Sequence, residues 1–469
     1  MSTTSNVSAG KRIEALLDDN SFVEIGNLVK ARNTDFNLAQ RETPADGVIT
    51  GYGTINNALV YVYSQDATVL GGSVGEMHAK KIAKIYDMAI KMGAPVIGLV
   101  DCAGLRLEEA TDALNAFGEI YLKKATASGV VPQVTAVFGN CGGGLSVLSQ
   151  LSDFTFMADD AKLFVNSPNT IDSNYTEKCD TASSEFQSNN TANVDYVSNE
   201  DDVIAKIRDL VDLLPGNFEE SAYDDECTDD LNRACAGIEG LVNDMPALIE
   251  NVADNGNFFQ LKTNYATDMV TGFIKLNGNT VGVVANNSDI LSASGCYKAE
   301  ELVKFCDAFD IPVVTFTNVT GFETSMNEEK NIAKAVAKLT YAFANATVPK
   351  VNVVVENAFG SAYVAMNSKG IGADIVYAWT DAKVGMMNAE SAAKIIYADE
   401  IAKSKDAAKT ISEKAAAYDE LQLSTASAAA RGYVDTVVSP CDTRKYLIGA
   451  LEMLFTKREE KPFKKHGTI

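Results

Sequence analysis

Gly139-Asn140-Cys141-Gly142-Gly143-Gly144 and Asn357-Ala358-Phe359-Gly360-Ser361-Ala362 occupy equivalent places in two copies of one pattern. Each follows a strand start, Val131-Pro132-Gln133-Val134 or Val348-Pro349-Lys350-Val351, and each precedes a helix-like run, Leu145 to Leu151 or Tyr363 to Lys369. A glycine turn between strand and helix leaves backbone N–H groups free at the positive end of the helix dipole. Such a turn stabilises an oxyanion without any side chain. Two of them in a duplicated chain point to a reaction with two oxyanions.

The repeat extends outward from the turns. Val48 to Asn56 reads against Met269 to Asn277, and Ala94-Pro95-Val96-Ile97 against Ile311-Pro312-Val313-Val314. Asp101-Cys102-Ala103-Gly104-Leu105 falls beside Asn318-Val319-Thr320-Gly321-Phe322, and the lead-in Leu16 to Glu24 recurs as Val252 to Gln260. A period of roughly 220 residues is too long for a solenoid and marks a duplicated domain. Strands, glycine loops and helices alternate, so the fold class is α/β. The expected domains are residues 1–225 and 226–469. The polar stretch 171–245, with Asp224-Asp225-Glu226 and Asp229-Asp230, holds one clear helix at 201–214, closed by Pro215-Gly216-Asn217, and reads as the end of the first domain plus a solvated linker.

Composition narrows the function. Of 469 residues 46% are hydrophobic, enough for a full core in each half. The net charge of −23 argues against nucleic acid, where a basic footprint supplies most of the affinity. No apolar run approaches a membrane span, so the expected setting is soluble and cytoplasmic. Eight cysteines contain no CxxC pair, and Cys141, whose repeat counterpart is Ala358, reads as a packing residue. Only His78 and His466 are available for histidine chemistry. His78 begins an amphipathic helix and reads as structural or as a ligand contact there. No metal site is expected.

The ordered set Asp46 to Gly53, Ser64-Gln65-Asp66 with Gly71 to Glu76, Ala127 to Pro132, Phe305 to Pro312, Ala346 to Val351, Gly372-Ala373-Asp374-Ile375 and Lys464-Lys465-His466-Gly467 resembles the carboxyltransferase subunits of biotin-dependent acyl-CoA carboxylases and of sodium-pumping acyl-CoA decarboxylases. The resemblance covers nearly the whole chain. It implies two crotonase-like domains of ββα superhelical repeats. It also implies a use for both turns: one for the enolate of a short acyl-CoA, acetyl or propionyl, and one for the ureido oxygen of biotin. The liberated biotin nitrogen then serves as base, so no histidine is needed.

By the same resemblance Gly143 and Gly144 fall on the thioester turn, and Gly360, Ser361 and Ala362 on the biotin turn. Gly71, Gly72, Ala103, Gly104, Gly321, Phe322 and Val364 fall on the ligand-binding loops. No Met-Lys-Met biotinylation motif occurs, so biotin is expected on a separate carrier protein. The other implied partner is a biotin carboxylase or a membrane decarboxylase subunit. The family arrangement implies a homo-oligomer, a dimer of composite sites at least and a hexamer as its usual form. The direction of transfer stays open between carboxylase and decarboxylase, and a non-catalytic scaffold paralogue is the third reading.

Overall fold

A computed structural model describes residues 8–34, 36, 41–172, 174, 179–220, 227–464 and 466–467. The chain divides into two compact units, Met1–Ala222 with Lys262–Tyr265, and Tyr223–Leu261 with Ala266–Ile469. The first holds β1 (Val23–Glu24), β2 (Val48–Ile55), β3 (Ala58–Gln65), β4 (Val96–Cys102), β5 (Gln133–Gly142), β6 (Phe154–Ala158), β7 (Lys162–Phe164) and β8 (Tyr196–Ser198). The second holds β9 (Phe258–Leu261), β10 (Met269–Leu276), β11 (Asn279–Asn286), β12 (Ile290–Leu291), β13 (Val313–Val319), β14 (Gly321–Phe322), β15 (Lys350–Phe359), β16 (Ile375–Trp379), β17 (Lys383–Gly385) and β18 (Thr436–Val438).

The first sheet is ordered β1-β2-β3-β4-β5-β6-β8 with β7 on β5, and the second β9-β10-β11-β13-β15-β16-β18 with β17 on β15. These are the same order, since β12 and β14 pair only with each other. Each sheet opens with an antiparallel hairpin and continues in parallel. Helices Glu76–Met92 and Ala110–Ala127 make the crossovers of the first unit, and Ala293–Ala308 and Ile332–Asn345 those of the second. The central parallel strands are buried on both faces, which is why β4 (VIGLVDC) is apolar at nearly every position rather than alternating, while β13 (VVTFTNV) buries Thr315, Thr317 and Asn318 along with its apolar residues. The α/β duplication expected from the repeat is therefore the observed architecture. Among the described residues, no helix is long and apolar enough to cross a membrane.

Each unit is closed by the same device. At the β2–β3 turn the amides of Asn56 and Asn57 donate to the Asp18 carboxylate at 3.0 and 2.9 Å. Arg208 reaches back to Asp18 at 2.9 Å and to the Leu16 carbonyl at 2.6 Å. In the second unit Asn277 and Gly278 donate to Asp254 at 3.1 and 2.9 Å, and Arg444 reaches Asp254 at 2.6 Å and the Val252 carbonyl at 2.7 Å. The central residues of both turns have positive φ, the geometry that suits the twist of a two-residue hairpin. The Asn57 amide above all, and then Arg208, hold the Asp18 carboxyl well below the usual carboxylate range.

In the stretch 171–245 the expected helix at 201–214 is present as Glu200–Leu213 and carries Arg208. Helix Ser184–Asn190 and the edge strand β8 depart from the linker reading. Asp229 is not merely solvated either: it accepts from Arg233 and lies 3.5 Å from Arg444. A polar composition here marks an edge strand and ion-paired segments rather than free chain. Asp224, Asp225 and Glu226 lie outside the described residues.

Candidate active site

β5 runs into helix Gly144–Ser149 and β15 into helix Gly360–Ala365. The ladders put the two turns in register. Asn140, Cys141 and Gly142 pair with Lys162, Leu163 and Phe164, while Asn357, Ala358 and Phe359 pair with Lys383, Val384 and Gly385. Gly143 therefore corresponds to Gly360, Gly144 to Ser361, and Leu145 to Ala362. Gly143 and Gly360 have φ of 61° and 62°, a conformation that favours glycine. The Gly143 amide is engaged, donating to the Phe164 carbonyl at 2.9 Å. The amides without an intrahelical acceptor are those of the first helical residues, Gly144 and Leu145 in helix Gly144–Ser149, and Gly360, Ser361 and Ala362 in helix Gly360–Ala365. Leu145 is absent from the sequence-based assignment. The repeat could have found it, because the offset pairing Cys141 with Ala358 also pairs Leu145 with Ala362.

A side chain from the neighbouring strand steadies each turn. The Asn140 amide donates to the Asp101 carboxylate, whose other neighbour is the Arg12 guanidinium at 3.6 Å. Burial pushes the Asp101 carboxyl up, against the attraction of Arg12. In the second unit Asn318 takes that position: its Oδ1 accepts the Asn357 amide at 3.2 Å, and its Nδ2 donates to Glu356 at 2.8 Å. Gly139, the counterpart of Glu356, has no room for a side chain, since a Cβ there would lie 2.0 Å from Asp101 Oδ1.

The remaining assigned residues cluster within their own units. The Gly71 carbonyl accepts the Ala103 amide and the Gly104 carbonyl accepts the Val74 amide, both at 2.9 Å. Ala103 and Gly104 leave the end of β4, beside the end of β5, where Cys102 pairs with Cys141. Gly72, at φ 64°, packs so closely that a Cβ would meet the Asp101 carbonyl at 2.3 Å. In the second unit Gly321 and Phe322 form β14 against β12 and line a groove of about 670 Å³ with Glu323, Met326, Glu329 and Ile332. Val364 lies on the helix of the second turn and is 43% exposed.

A buried polar cluster behind the Gly71–Ser73 loop was not foreseen. Arg106 Nη1 meets Asp46 at 2.6 Å and Glu109 at 2.7 Å, and its Nη2 donates to the Ser73 carbonyl at 2.8 Å. Glu109 also accepts the Glu76 amide at 2.6 Å, which fixes the start of helix Glu76–Met92. Burial pushes the Asp46 carboxyl up despite Arg106. His78 completes the cluster. Its Nδ1 donates to the Asp46 carbonyl at 2.9 Å and its Nε2 accepts from Gln65 at 3.1 Å, so the neutral imidazole is fully used. Of its two sequence readings, these bonds support the structural one. Cys141 is likewise fully buried, and burial raises its thiol well above the usual range, so packing suits it better than nucleophilic chemistry. Among the described residues no group of three or more His, Cys, Asp or Glu side chains could hold a metal ion.

His78 carries a pH prediction. Burial, with the nearby Arg106 charge, lowers its pKa from 6.5 to about 3. Between those values the unfolded chain binds the extra proton and the folded chain does not. This contribution is therefore fully present above pH 6.5 and is lost as pH falls toward 3, at up to ~1.4 kcal/mol per pH unit. Urea unfolding from pH 7 to 4 is expected to show that slope, and His78→Asn is expected to flatten it. Equal slopes in the two proteins would refute the assignment.

The family model described as carboxyl transferase domain matches residues 5–469. The chain is 39% identical to the methylmalonyl-CoA decarboxylase subunit alpha of Veillonella parvula, over 99% of this chain and 93% of that protein. It is 40% identical to the propionyl-CoA carboxylase beta chain of Roseobacter denitrificans, with the same coverage of 99% and 93%. Transcarboxylase 12S, solved as a hexamer assembly with methylmalonyl-coenzyme A and methylmalonic acid bound, matches with a TM-score of 0.94 at 36% identity, covering 98% of this chain and 91% of that one.

Proposed function

The chain belongs to the carboxyl transferase domain family, and on that premise we propose that it moves a carboxyl group between biotin on a separate carrier protein and the α carbon of a short acyl-CoA. The observation that carries this reading is the pair of register-equivalent turns, each ending a parallel strand and presenting the first amides of a helix. In this reading the Gly143-Gly144-Leu145 turn receives the thioester oxygen, and the Gly144 and Leu145 amides stabilise the charge that develops as the enolate forms. The Ser361 and Ala362 amides do the same for a ureido oxygen. Supporting that fit are the positive φ of Gly360 and the exposure of Ser361, which leave the backbone open to an acceptor. Biotin, when bound, would supply the carboxyl group and a basic nitrogen. The fully bonded His78 is then free of any catalytic duty.

The proposal includes a homo-oligomer in which the first turn of one subunit shares a site with the second turn of its neighbour. A hexamer is the form named for transcarboxylase 12S. The Gly71–Gly72 and Ala103–Gly104 loops would hold the coenzyme side, and the Gly321–Phe322 groove with Val364 the biotin and acyl side. The other partner would be a biotin carboxylase in the cytoplasm or a membrane decarboxylase subunit. The likeness to a decarboxylase alpha subunit favours the reverse direction as a second reading.

The test is transfer from carboxylated carrier to acyl-CoA of increasing length, followed by the reverse reaction from methylmalonyl-CoA to uncarboxylated carrier. Propionyl-CoA and acetyl-CoA are expected to lead with overlapping rates, because a pocket discriminates one methylene by only ~1–3 kcal/mol. Val364, apolar and next to the second turn, motivates the short-chain preference. A preference for acyl chains of eight or more carbons would overturn it. Failure to bind any acyl-CoA would favour the scaffold paralogue.

A further inference from the structure

The first turn is a run of three glycines, Gly142 to Gly144, and glycine backbone is the least restrained of any. Successive peptide planes must nonetheless hold their direction if amides are to point at one oxygen. The plane before Gly143 is pinned by the Gly143 amide donating to the Phe164 carbonyl at 2.9 Å. The next is pinned where the Gly143 carbonyl accepts the Ser146 amide at 3.1 Å, which turns the Gly144 N–H the opposite way. The third plane, between Gly144 and Leu145, is gripped from outside the turn: the Tyr121 hydroxyl donates to the Gly144 carbonyl at 2.5 Å.

Tyr121 is well placed to keep that grip. It lies on the long crossover helix Ala110–Ala127, and its ring packs on Phe117 with centroids 5.0 Å apart. The two rings close over the turn so tightly that a Cβ on Gly144 would sit 2.9 Å from Phe117 and 3.2 Å from the Tyr121 oxygen.

We propose that Tyr121 is a positioning residue for the first turn: through the Gly144 carbonyl it orients and polarises the peptide whose N–H belongs to Leu145. A carbonyl that accepts a hydrogen bond makes the N–H of the same peptide a stronger donor. In a trans peptide that N–H points away from the carbonyl, so the hydroxyl acts from behind and touches no substrate. The proposal rests on the carboxyl-transfer reading above and adds that only the thioester half of the reaction depends on this hydroxyl.

The experiment compares wild type with Tyr121→Phe, which keeps the ring and deletes the hydroxyl. Three quantities are measured: kcat and KM for acyl-CoA carboxylation, CO2 release from carboxylated carrier without acyl-CoA, and Tm. The expected result is a kcat lower by about 3- to 10-fold, the size of one ordinary hydrogen bond, with KM, Tm and CO2 release at wild-type values. An unchanged kcat overturns the proposal. So does a joint fall in both half-reactions and Tm, which is the signature of a merely structural role. A wild-type protein that transfers no carboxyl group overturns the parent reading and this inference with it.

Discussion

Gly143→Val is expected to lose carboxyl transfer by about 10²- to 10³-fold while remaining folded and assembled, the loss typical of one misplaced oxyanion donor. Space is not the reason, since a Cβ on Gly143 would meet nothing within 4 Å. The reason is the backbone. Gly143 sits at φ 61° and ψ −128°, a region that β-branched residues do not enter without strain. Valine must either bear ~1–3 kcal/mol of strain or rotate its peptides, and rotation breaks the bond to Phe164 and swings the Gly144 amide away. Transfer from carboxylated carrier to propionyl-CoA measures the effect, with thermal unfolding and gel filtration as controls. Wild-type turnover by well-folded Gly143→Val would remove this turn from the reaction.

Arg106→Met is expected to destabilise the first unit by about 3–5 kcal/mol, the cost of leaving buried carboxylates without their partner. Arg106 is 2% exposed and sits between Asp46 and Glu109 at 2.6 and 2.7 Å. Methionine replaces its bulk but not its charge or its bond to the Ser73 carbonyl. The sign of the pH dependence follows from Asp46, whose carboxyl burial already pushes up. Without Arg106 it rises further, so the folded state is penalised increasingly as pH rises above the ordinary carboxylate pKa. Denaturant unfolding at pH 8 is therefore expected to show a larger deficit than at pH 5. A deficit below about 1 kcal/mol at both would mean that the cluster contributes little beyond packing.

The duplication was readable because it is written twice. Val-Pro starts, hairpin residues and glycine turns recur in one order, and each copy disambiguates the other. Strand β4, apolar at nearly every position, is legible for the same reason that it is central: both its faces are covered. Other features leave no local mark. Asp46 and Arg106 stand 60 residues apart, and nothing in either neighbourhood announces the pair. In the proposed reading Leu145 would offer only its backbone, so its apolar side chain carries no sign of that task. In segment 171–245 the helix at 201–214 was legible but composition hid the rest, because an edge strand such as Tyr196–Ser198 needs few apolar residues, and the partner of Arg208 lies far from its own stretch of chain.

The twin arginine clasps bear on how the chain comes off the ribosome. Asp18 waits 190 residues for Arg208, and Asp254 waits the same 190 for Arg444. Each half is thus sealed by its own late-emerging helix, and neither borrows the other's arginine. Domains complete in this way fold one after the other during synthesis, the N-terminal one first. The first half can be latched before Arg444 has been translated, so its sheet is already ordered when the second sheet, of the same strand order, is made. A duplicated protein runs the risk of pairing one copy's strands with the other's, and a private clasp for each copy keeps the two apart in time.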